Sequence, residues 1–338
     1  MKIKQSILLI VLSITYVIGS VFLSQPILKN CELYNENILN QIDILDIESR
    51  LLSGKEWGYA IFNEANNEVI DSAMEALDAA NSYYKIAVNN TAYILIISLI
   101  YFACIFFFYF KKTLFRVSIV ICLSIIALVT LYLGVTAPIL EIVAYSTDLE
   151  IPLILSLKDV LSITDLSINT LSSMSSQWVS EWFDFEIPKI DLESLAGDQD
   201  IEMTAHFHGN IYYYYQNKSA MSLITTLLKQ NNYVVGLTLL SFSIIIPVFK
   251  LLSTMLICSF AYFKSNKTLI LITKIIGKWS MADVFVAACF LSFLSFNNMS
   301  NQIETESNVL LGLYFFLAYV IISLTSSSLL TWAIKPSK

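Results

Sequence analysis

The chain has 338 residues, of which 56% are hydrophobic and only 14% are charged, and its mean hydropathy is +0.67. Soluble globular proteins carry about 25% charged residues, so the composition excludes an ordinary soluble domain and predicts a protein embedded in a bilayer. The five cysteines form no CxxC pair, which argues against a zinc ribbon or a disulfide framework. No basic patch accompanies the aromatic stretches, so nucleic acid is not an expected partner.

Six apolar runs are long enough to cross the hydrocarbon core of a bilayer, which takes about 20 residues of helix. The first run follows MKIKQS, as in a signal peptide, but no small-residue cleavage site clearly follows it, so we interpret it as an uncleaved anchor. The predicted spans are Ile7–Leu23, Ala92–Phe110, Val117–Val135, Val234–Tyr262, Ala282–Phe296 and Val309–Ile334.

The distribution of charge predicts the orientation of these spans. Of the 27 acids, 26 lie in three segments, 25–91, 139–233 and 297–307, and the remaining one is Asp283. Basic residues cluster in the short stretches between those segments, and such stretches stay on the cytoplasmic side of a membrane. Both termini are therefore predicted to be cytoplasmic.

The first outer segment, 25–91, is predicted to form a helical hairpin that continues the first two spans. Its stretch NEVIDSAMEALDAANSYYKIAV carries apolar residues at a helical period, among them Ala73, Ala80 and Val88. A second helical run is predicted over Ile38–Leu52, where the sequence SGKEWG interrupts it.

The second outer segment, 139–233, is predicted to mix strands and helices. The stretch IEMTAHFHGNIYYYYQ (201–216) indicates a hairpin or small sheet, SAMSLITTLLKQ (219–230) indicates a helix, and Ser167–Trp182 is typical of an amphipathic segment at headgroup level. On a strand, His206 and His208 share one face. They are either two exposed strand residues or part of a metal site, and the former is favoured because two ligands fall short of the usual three or four.

Lys250 lies about midway along the fourth span, too deep for its ammonium group to reach the cytoplasmic face without strain. A lysine at such depth costs about 2.5–3.5 kcal/mol on insertion scales, so it is expected to face the protein interior or a wet cavity. Ser243, Pro247 and Thr254 are spaced to lie on the same helical stripe, and Pro247 leaves a carbonyl group without its helical donor. The alternative is a lysine that snorkels from a helix end.

Hydroxyl-bearing and small residues also follow one side of the sixth span and of the third. Serines at this density often reflect close helix packing and hydroxyls bonded to their own backbone, which is the alternative interpretation. Together with Lys250 they predict a polar seam among the last four spans, for which the first two spans offer no equivalent. The residues are Tyr319, Ser323, Ser326 and Ser327 on the sixth span, and Thr130, Gly134 and Pro138 on the third.

The sequence GKWSMADVF (277–285) opens the fifth span. Ser280 and Asp283 form the S-x-x-D pattern of a capping box, and a carboxylate in the first helical turn is favoured by the helix dipole. A helix cap is the simpler interpretation of Asp283, which could also supply a counter-charge if the fourth span lies close. The chain has no HExxH, no Gly-rich phosphate loop and no GxSxG, so an enzyme is not expected.

Three stretches, GKWSMADVFVAA (277–288), SFSIIIPVFKLLS (241–253) and SLITTLLKQNNY (222–233), resemble the paraquat-inducible protein A family of bacterial inner-membrane proteins. The resemblance covers roughly Val117–Ile334. It implies a membrane α-helical fold with six transmembrane helices, the last four in a tetraspanin- or claudin-like bundle, and an outer region that mixes helix with a small β-sheet. Residues 1–116 are then an N-terminal transmembrane hairpin with an acidic outer segment, and residues 117–338 are the family's membrane module.

The resemblance implies a part in phospholipid transport between the two membranes of Gram-negative bacteria, with a periplasmic partner of the mammalian-cell-entry (MCE) type. Lys250, Asp283 and the serine stripe of the sixth span would line the lipid path. Typical members carry two modules, each preceded by a cysteine zinc ribbon, whereas this chain has one module and no CxxC, so neither a metal nor a cofactor is expected.

The alternative is a scaffold that recruits a periplasmic partner without moving lipid. A proton-coupled permease is less favoured, because Asp283 lies at the membrane edge.

Overall fold

The computed structural model describes residues 2–110, 114–156, 200–259, 300–301 and 303–334, together with residue 288. Within this described part, five helices are long and apolar enough to cross a membrane. They overlap five of the six predicted spans, while the remaining one, Ala282–Phe296, lies outside the described residues. The count of six spans and the tetraspanin-like arrangement therefore stay predictions. The five helices run over Ile7–Leu45, Asn67–Tyr109, Phe115–Thr136, Tyr233–Ser259 and Leu311–Ala333.

The N-terminal part of the chain is a hairpin of two very long helices, α1 (Lys2–Leu45) and α4 (Asn67–Tyr109). At 1.5 Å per residue, each is about 65 Å long, roughly twice the thickness of a hydrocarbon core of about 30 Å. The apolar half of each helix can cross the membrane, and the other half continues beyond it. The predicted hairpin that is continuous with the first two spans is therefore confirmed.

The two long helices bury residues that recur every seven positions. The rings of Tyr16 and Tyr101 stack, and those of Tyr34 and Tyr84 are in contact, so the helices run antiparallel. A seven-residue repeat keeps one face of each helix toward its partner, as in a coiled coil. The repeat consists of Ser13, Ser20, Ile27, Tyr34 and Gln41 on α1, and of Ala73, Ala80, Ala87, Ile94 and Tyr101 on α4.

Two short helices, α2 (Ile47–Leu51) and α3 (Gly54–Ile61), connect the long ones. The predicted interruption at SGKEWG is confirmed, because α2 ends at Leu51 and the same sequence starts a new helix, α3, at Gly54. Ser53 is the N-cap residue, and its hydroxyl accepts a hydrogen bond from the backbone N–H of Glu56. The sequence thus supplies the N-cap half of an S-x-x-E capping box, while the carboxylate of Glu56 binds Arg50 and Asn66 instead.

A four-stranded sheet accompanies the helices, with the strand order β2-β1-β4-β3. Strand β1 pairs antiparallel with β4, so that Leu140 lies opposite Val309 and Tyr145 lies opposite Glu304. The strand predicted over 201–216 is confirmed, whereas sequence reasoning did not foresee β1 or β4. The strands are β1 (Pro138–Ser156), β2 (Asp200–Ser219), β3 (Ser300–Asn301) and β4 (Ile303–Val309).

The remaining helices carry the C-terminal half of the chain. Helices α5 and α9 pack antiparallel, since Ser124 contacts Ser326 while Gly134 lies against Phe316. A Cβ atom at Gly134 would lie 2.7 Å from the backbone nitrogen of Phe316, so only glycine allows this close approach. The helices are α5 (Phe115–Thr136), α6 (Ala220–Lys229, as predicted), α7 (Tyr233–Leu240), α8 (Ile246–Ser259) and α9 (Leu311–Ile334).

The chain divides into two compact units. The first consists of residues 1–46, 71–145 and 212–338, and the second of residues 47–70 and 146–211. The predicted division of the chain at residue 116 stays a prediction.

Candidate functional site

The side chain of Lys250 is buried in the first compact unit, with 3% of its surface exposed. Its Nζ atom donates a hydrogen bond of 2.9 Å to the hydroxyl of Ser323 on α9. Ser323 lies near the middle of α9, about 17 Å from either end of that helix. The ammonium group is therefore held at mid-depth inside the bundle, and the snorkelling interpretation does not hold.

The helix that carries Lys250 is irregular one turn earlier. A π-helical segment, Ser241–Ile245, joins α7 to α8, and its C-cap N–H donates to the carbonyl of Ser241, five residues back. Pro247 has no N–H to donate to the carbonyl of Ser243, so the regular hydrogen-bond ladder fails here. Ser243, Pro247 and Thr254 are buried like Lys250, as the predicted stripe requires. Such π segments are frequent at functional sites.

The serines of α9 divide into two groups by what they contact. Ser323 receives the hydrogen bond from Lys250, whereas the hydroxyl of Ser326 lies 2.9 Å from that of Ser124 on α5. Ser327 donates to the backbone carbonyl of Ser323 at 2.8 Å. Ser323 is thus the serine that joins the Lys250 site, and Ser326 holds two helices together. Sequence reasoning missed Ser124, although a lone hydroxyl in an otherwise apolar stretch of α5 is a usable signal.

The polar and small residues of α5 serve packing. The hydroxyl of Thr130 donates to the backbone carbonyls of Ile126 and Ala127, each at 3.1 Å. The surface of Gly134 is covered by the backbone of Phe316. The predicted seam therefore does not extend along this side of α5, and Lys250, Ser323 and the stripe of α8 remain as the candidate site.

The expectation that the first two spans carry no polar side chains comparable to the seam is wrong. The hydroxyls of Tyr16 and Ser98 lie 2.8 Å apart, as do those of Ser13 and Tyr101. The sequence S-x-x-Y occurs once on each helix, as SITY and SLIY, and the antiparallel arrangement makes the two pairs reciprocal. We call these four residues the tyrosine clasp. All four are buried, and they satisfy each other's hydrogen bonds at membrane depth.

A buried carboxylate lies at the start of β1. Glu141 is 4% exposed, and its Oε2 atom accepts hydrogen bonds from the hydroxyls of Tyr34 (2.7 Å) and Tyr215 (3.3 Å). Burial, reinforced by this carboxylate, raises the pKa of Tyr215. Sequence reasoning had counted Glu141 among the outer acids. A usable signal was its place on the same strand face as Ile139 and Val143, both of which are buried.

In the second compact unit, His206 and His208 form separate pairs with carboxylates. The Nδ1 atom of His206 lies 3.4 Å from Glu150, and that of His208 lies 3.8 Å from Asp148. The Nε2 atom of His208 is also 2.9 Å from the side-chain oxygen of Asn63. In the part of the chain that the structure describes, no three His, Cys, Asp or Glu residues come together to hold a metal ion.

The same unit contains a buried ion pair. Arg50 and Glu56 are 2% and 4% exposed, and two guanidinium nitrogens of Arg50 lie 2.9 and 3.0 Å from one carboxylate oxygen. Arg50 also donates to the backbone carbonyl of His208 at 2.9 Å. A second pair, Lys55 with Glu68, is solvent-exposed, and its mutual hydrogen bond and charge raise the pKa of the lysine and lower that of the glutamate.

In the part of the chain that the structure describes, five long apolar helices and a lysine buried among them define a multi-pass membrane protein. Residues 208–333 match the family model described as paraquat-inducible protein A. The match confirms the resemblance seen in the sequence and includes Lys250 and Ser323, although it covers less than half of the chain. No curated protein and no solved structure gives a match. Ser280 and Asp283 lie within the matched segment but outside the described residues.

Proposed function

We propose that this chain is a non-enzymatic component of a bacterial inner-membrane system that moves phospholipid to or from a periplasmic partner of the MCE type. The observation that carries the proposal is the Lys250 ammonium group, buried at mid-depth and bonded to Ser323. A cation in a medium of low dielectric constant attracts a phosphate group far more strongly than it would in water. The similarity to the paraquat-inducible protein A family supports an inner-membrane location, and the charge distribution supports cytoplasmic termini.

In the proposed mechanism, a lipid phosphate takes the place of the Ser323 hydroxyl as the acceptor for the ammonium group of Lys250. The carbonyl of Ser243, to which Pro247 cannot donate, lies about 10 Å from Lys250 along the helix and is proposed to accept a hydrogen bond from the lipid headgroup. Asp283, preceded by Ser280, is proposed to cap the fifth span and to provide a negative charge on the cytoplasmic side of the site. Ser243, in the π segment, is proposed to extend the polar surface, whereas the hydroxyl of Thr254 on α8 donates to the backbone carbonyl of Lys250.

The proposal is tested by photo-crosslinking in the full-length chain. A photoreactive residue replaces Ser327, one turn from Ser323, and the protein is reconstituted in vesicles of phosphatidylethanolamine and phosphatidylglycerol. Lys250→Met should reduce the yield of lipid crosslinks several-fold, because the anchor for the phosphate is lost. The matched control is Lys229→Met, which removes an exposed lysine at the end of α6 and should change nothing.

Equal crosslinking in the Lys250→Met variant and the parent, at equal thermal stability, would contradict the transport proposal. It would favour the second candidate, a scaffold that recruits a periplasmic partner. A specific observation supports that candidate, since the outer halves of α1 and α4 present exposed acids at helical spacing. Reversing the charge of the acids on α1 should then abolish partner capture while Lys250→Met leaves it intact. The acids are Glu32, Glu36 and Asp43 on α1, and Asp71, Glu75 and Asp78 on α4.

A further inference from the structure

An apolar groove lies on the first compact unit. It is formed by α1, α5 and α8 and encloses about 460 Å³, a volume typical of small-molecule sites. The hydroxyl of Ser13 is bonded to Tyr101, and Ser20 is only 1% exposed, so the groove surface is almost entirely hydrocarbon. The main lining residues are Val17, Ile18 and Val21 on α1, Leu128 and Tyr132 on α5, and Met255 on α8.

The groove runs along the helices at membrane depth. From Ser13 to Val21 it follows α1 for about 12 Å. Val21 and Tyr132 lie near the predicted outer ends of their spans, and Tyr132 is 42% exposed, at the level where tyrosines mark the membrane interface. By the orientation that the charge distribution predicts, the groove therefore runs from the middle of the bilayer, at Ser13 and Ile125, to its outer interface, and Met255 lies at the inner end of the groove.

The lining of the groove selects its occupant. The groove is partly open along its length, and at membrane depth the medium that it faces is lipid. A polar headgroup would lose its hydrogen bonds against a hydrocarbon lining. A lipid acyl chain is apolar and narrow enough to lie lengthwise in the groove.

We propose that this groove is a binding site for the acyl chain of a phospholipid from the outer leaflet, with the headgroup at the level of Tyr132. The site is separate from Lys250 and does not depend on transport. It exists because α1, which precedes the segment matching the known family, packs beside α5 and α8. Met255 packs against the same apolar cluster as Ile322, the neighbour of Ser323, so this cluster connects the groove lining to the helix that carries Ser323.

The test uses a phosphatidylethanolamine probe with a diazirine midway along one acyl chain, in vesicles of phosphatidylethanolamine and phosphatidylglycerol that contain the full-length chain. Mass spectrometry should find labels on Val17, Leu128 and Met255 several-fold more often than on Leu95 and Leu99. These two residues are exposed on the apolar part of α4 and report the surrounding bulk lipid. Equal labelling at all five positions would overturn the proposal.

A groove-filling variant provides the second arm of the test. Val17→Trp should lower the labelling of Leu128 and Met255 several-fold, and Leu99→Trp is the matched control that should leave it unchanged. If Val17→Trp lowers the thermal stability, Ile18→Trp replaces it, because Ile18 is 65% exposed and tolerates a larger side chain. Unchanged labelling in a stable groove-filling variant would overturn the proposal. Lys250→Met should leave groove labelling intact, so this site and the proposed transport site can fail separately.

Discussion

The buried ion pair of the second compact unit, Arg50 with Glu56, allows a quantitative prediction for the stability of this unit. In an Arg50→Met variant, the carboxylate of Glu56 stays buried without its guanidinium partner, and the carbonyl of His208 loses a donor. Removing one member of a buried ion pair typically costs about 3–5 kcal/mol. Every ~1.4 kcal/mol changes an equilibrium constant by a factor of ten. The equilibrium constant for local opening of α3 (Gly54–Ile61) should therefore rise between about a hundredfold and a few thousandfold.

Hydrogen exchange of the full-length chain in lipid nanodiscs measures this opening. The backbone amides of α3 should exchange faster in Arg50→Met by that factor. Lys55→Met is the matched control, because it removes a lysine whose ion pair is solvent-exposed and contributes little. The double variant Arg50→Met with Glu56→Gln should recover most of the protection, since no unpaired charge stays buried. Exchange in Arg50→Met that equals exchange in Lys55→Met would refute the reasoning.

Two further predictions concern the membrane helices. The first is a double-mutant cycle of Tyr16→Phe and Ser98→Ala, measured by equilibrium unfolding in bicelles. The coupling energy between the two side chains should be about 0.6 kcal/mol, with an upper limit near 1.7 kcal/mol. Strictly additive effects of the two substitutions on the free energy of unfolding would contradict the tyrosine clasp. Gly134→Ala should destabilise the chain by about 1–3 kcal/mol because the added methyl overlaps the backbone of Phe316. Its control is Gly19→Ala, where nothing lies within 4 Å of the new Cβ and stability should not fall. Equal effects of the two alanines would refute the close packing.

Much of the membrane part of the fold could be predicted from the sequence because the signals are local. An apolar run of sufficient length, a helical period or a strand-rich stretch such as 201–216 can be recognised without knowing what it packs against. The burial of Lys250 was predictable for the same reason, since its distance from both ends of a span follows from counting residues. These expectations follow from the bilayer, which requires the same length and apolar composition of every span.

Features that depend on which other segment of the chain a helix or strand packs against could not be predicted in this way. The sequence pattern suggested Val88 as part of the buried face of α4, but Val88 is 41% exposed and Ala87 is fully buried. A straight helix repeats every 3.6 residues, whereas two helices that wind around each other repeat every seven positions. Strand β1 was missed because its first half, PILEIVAYS, is as apolar as a helix end, and it becomes a strand by pairing with β4.

Lys250 differs from the neutral hydroxyls at membrane depth because it carries a charge. Tyr16 with Ser98, and Ser124 with Ser326, join neighbouring helices without a charge, so packing accounts for them. A lysine costs about 2.5–3.5 kcal/mol to insert, and the proposed lipid path gives this cost a function. If that function is right, Lys250→Met should lower lipid crosslinking in a variant whose melting temperature stays close to that of the parent. A marked loss of thermal stability would instead make Lys250 a structural residue and remove the main support for the transport proposal.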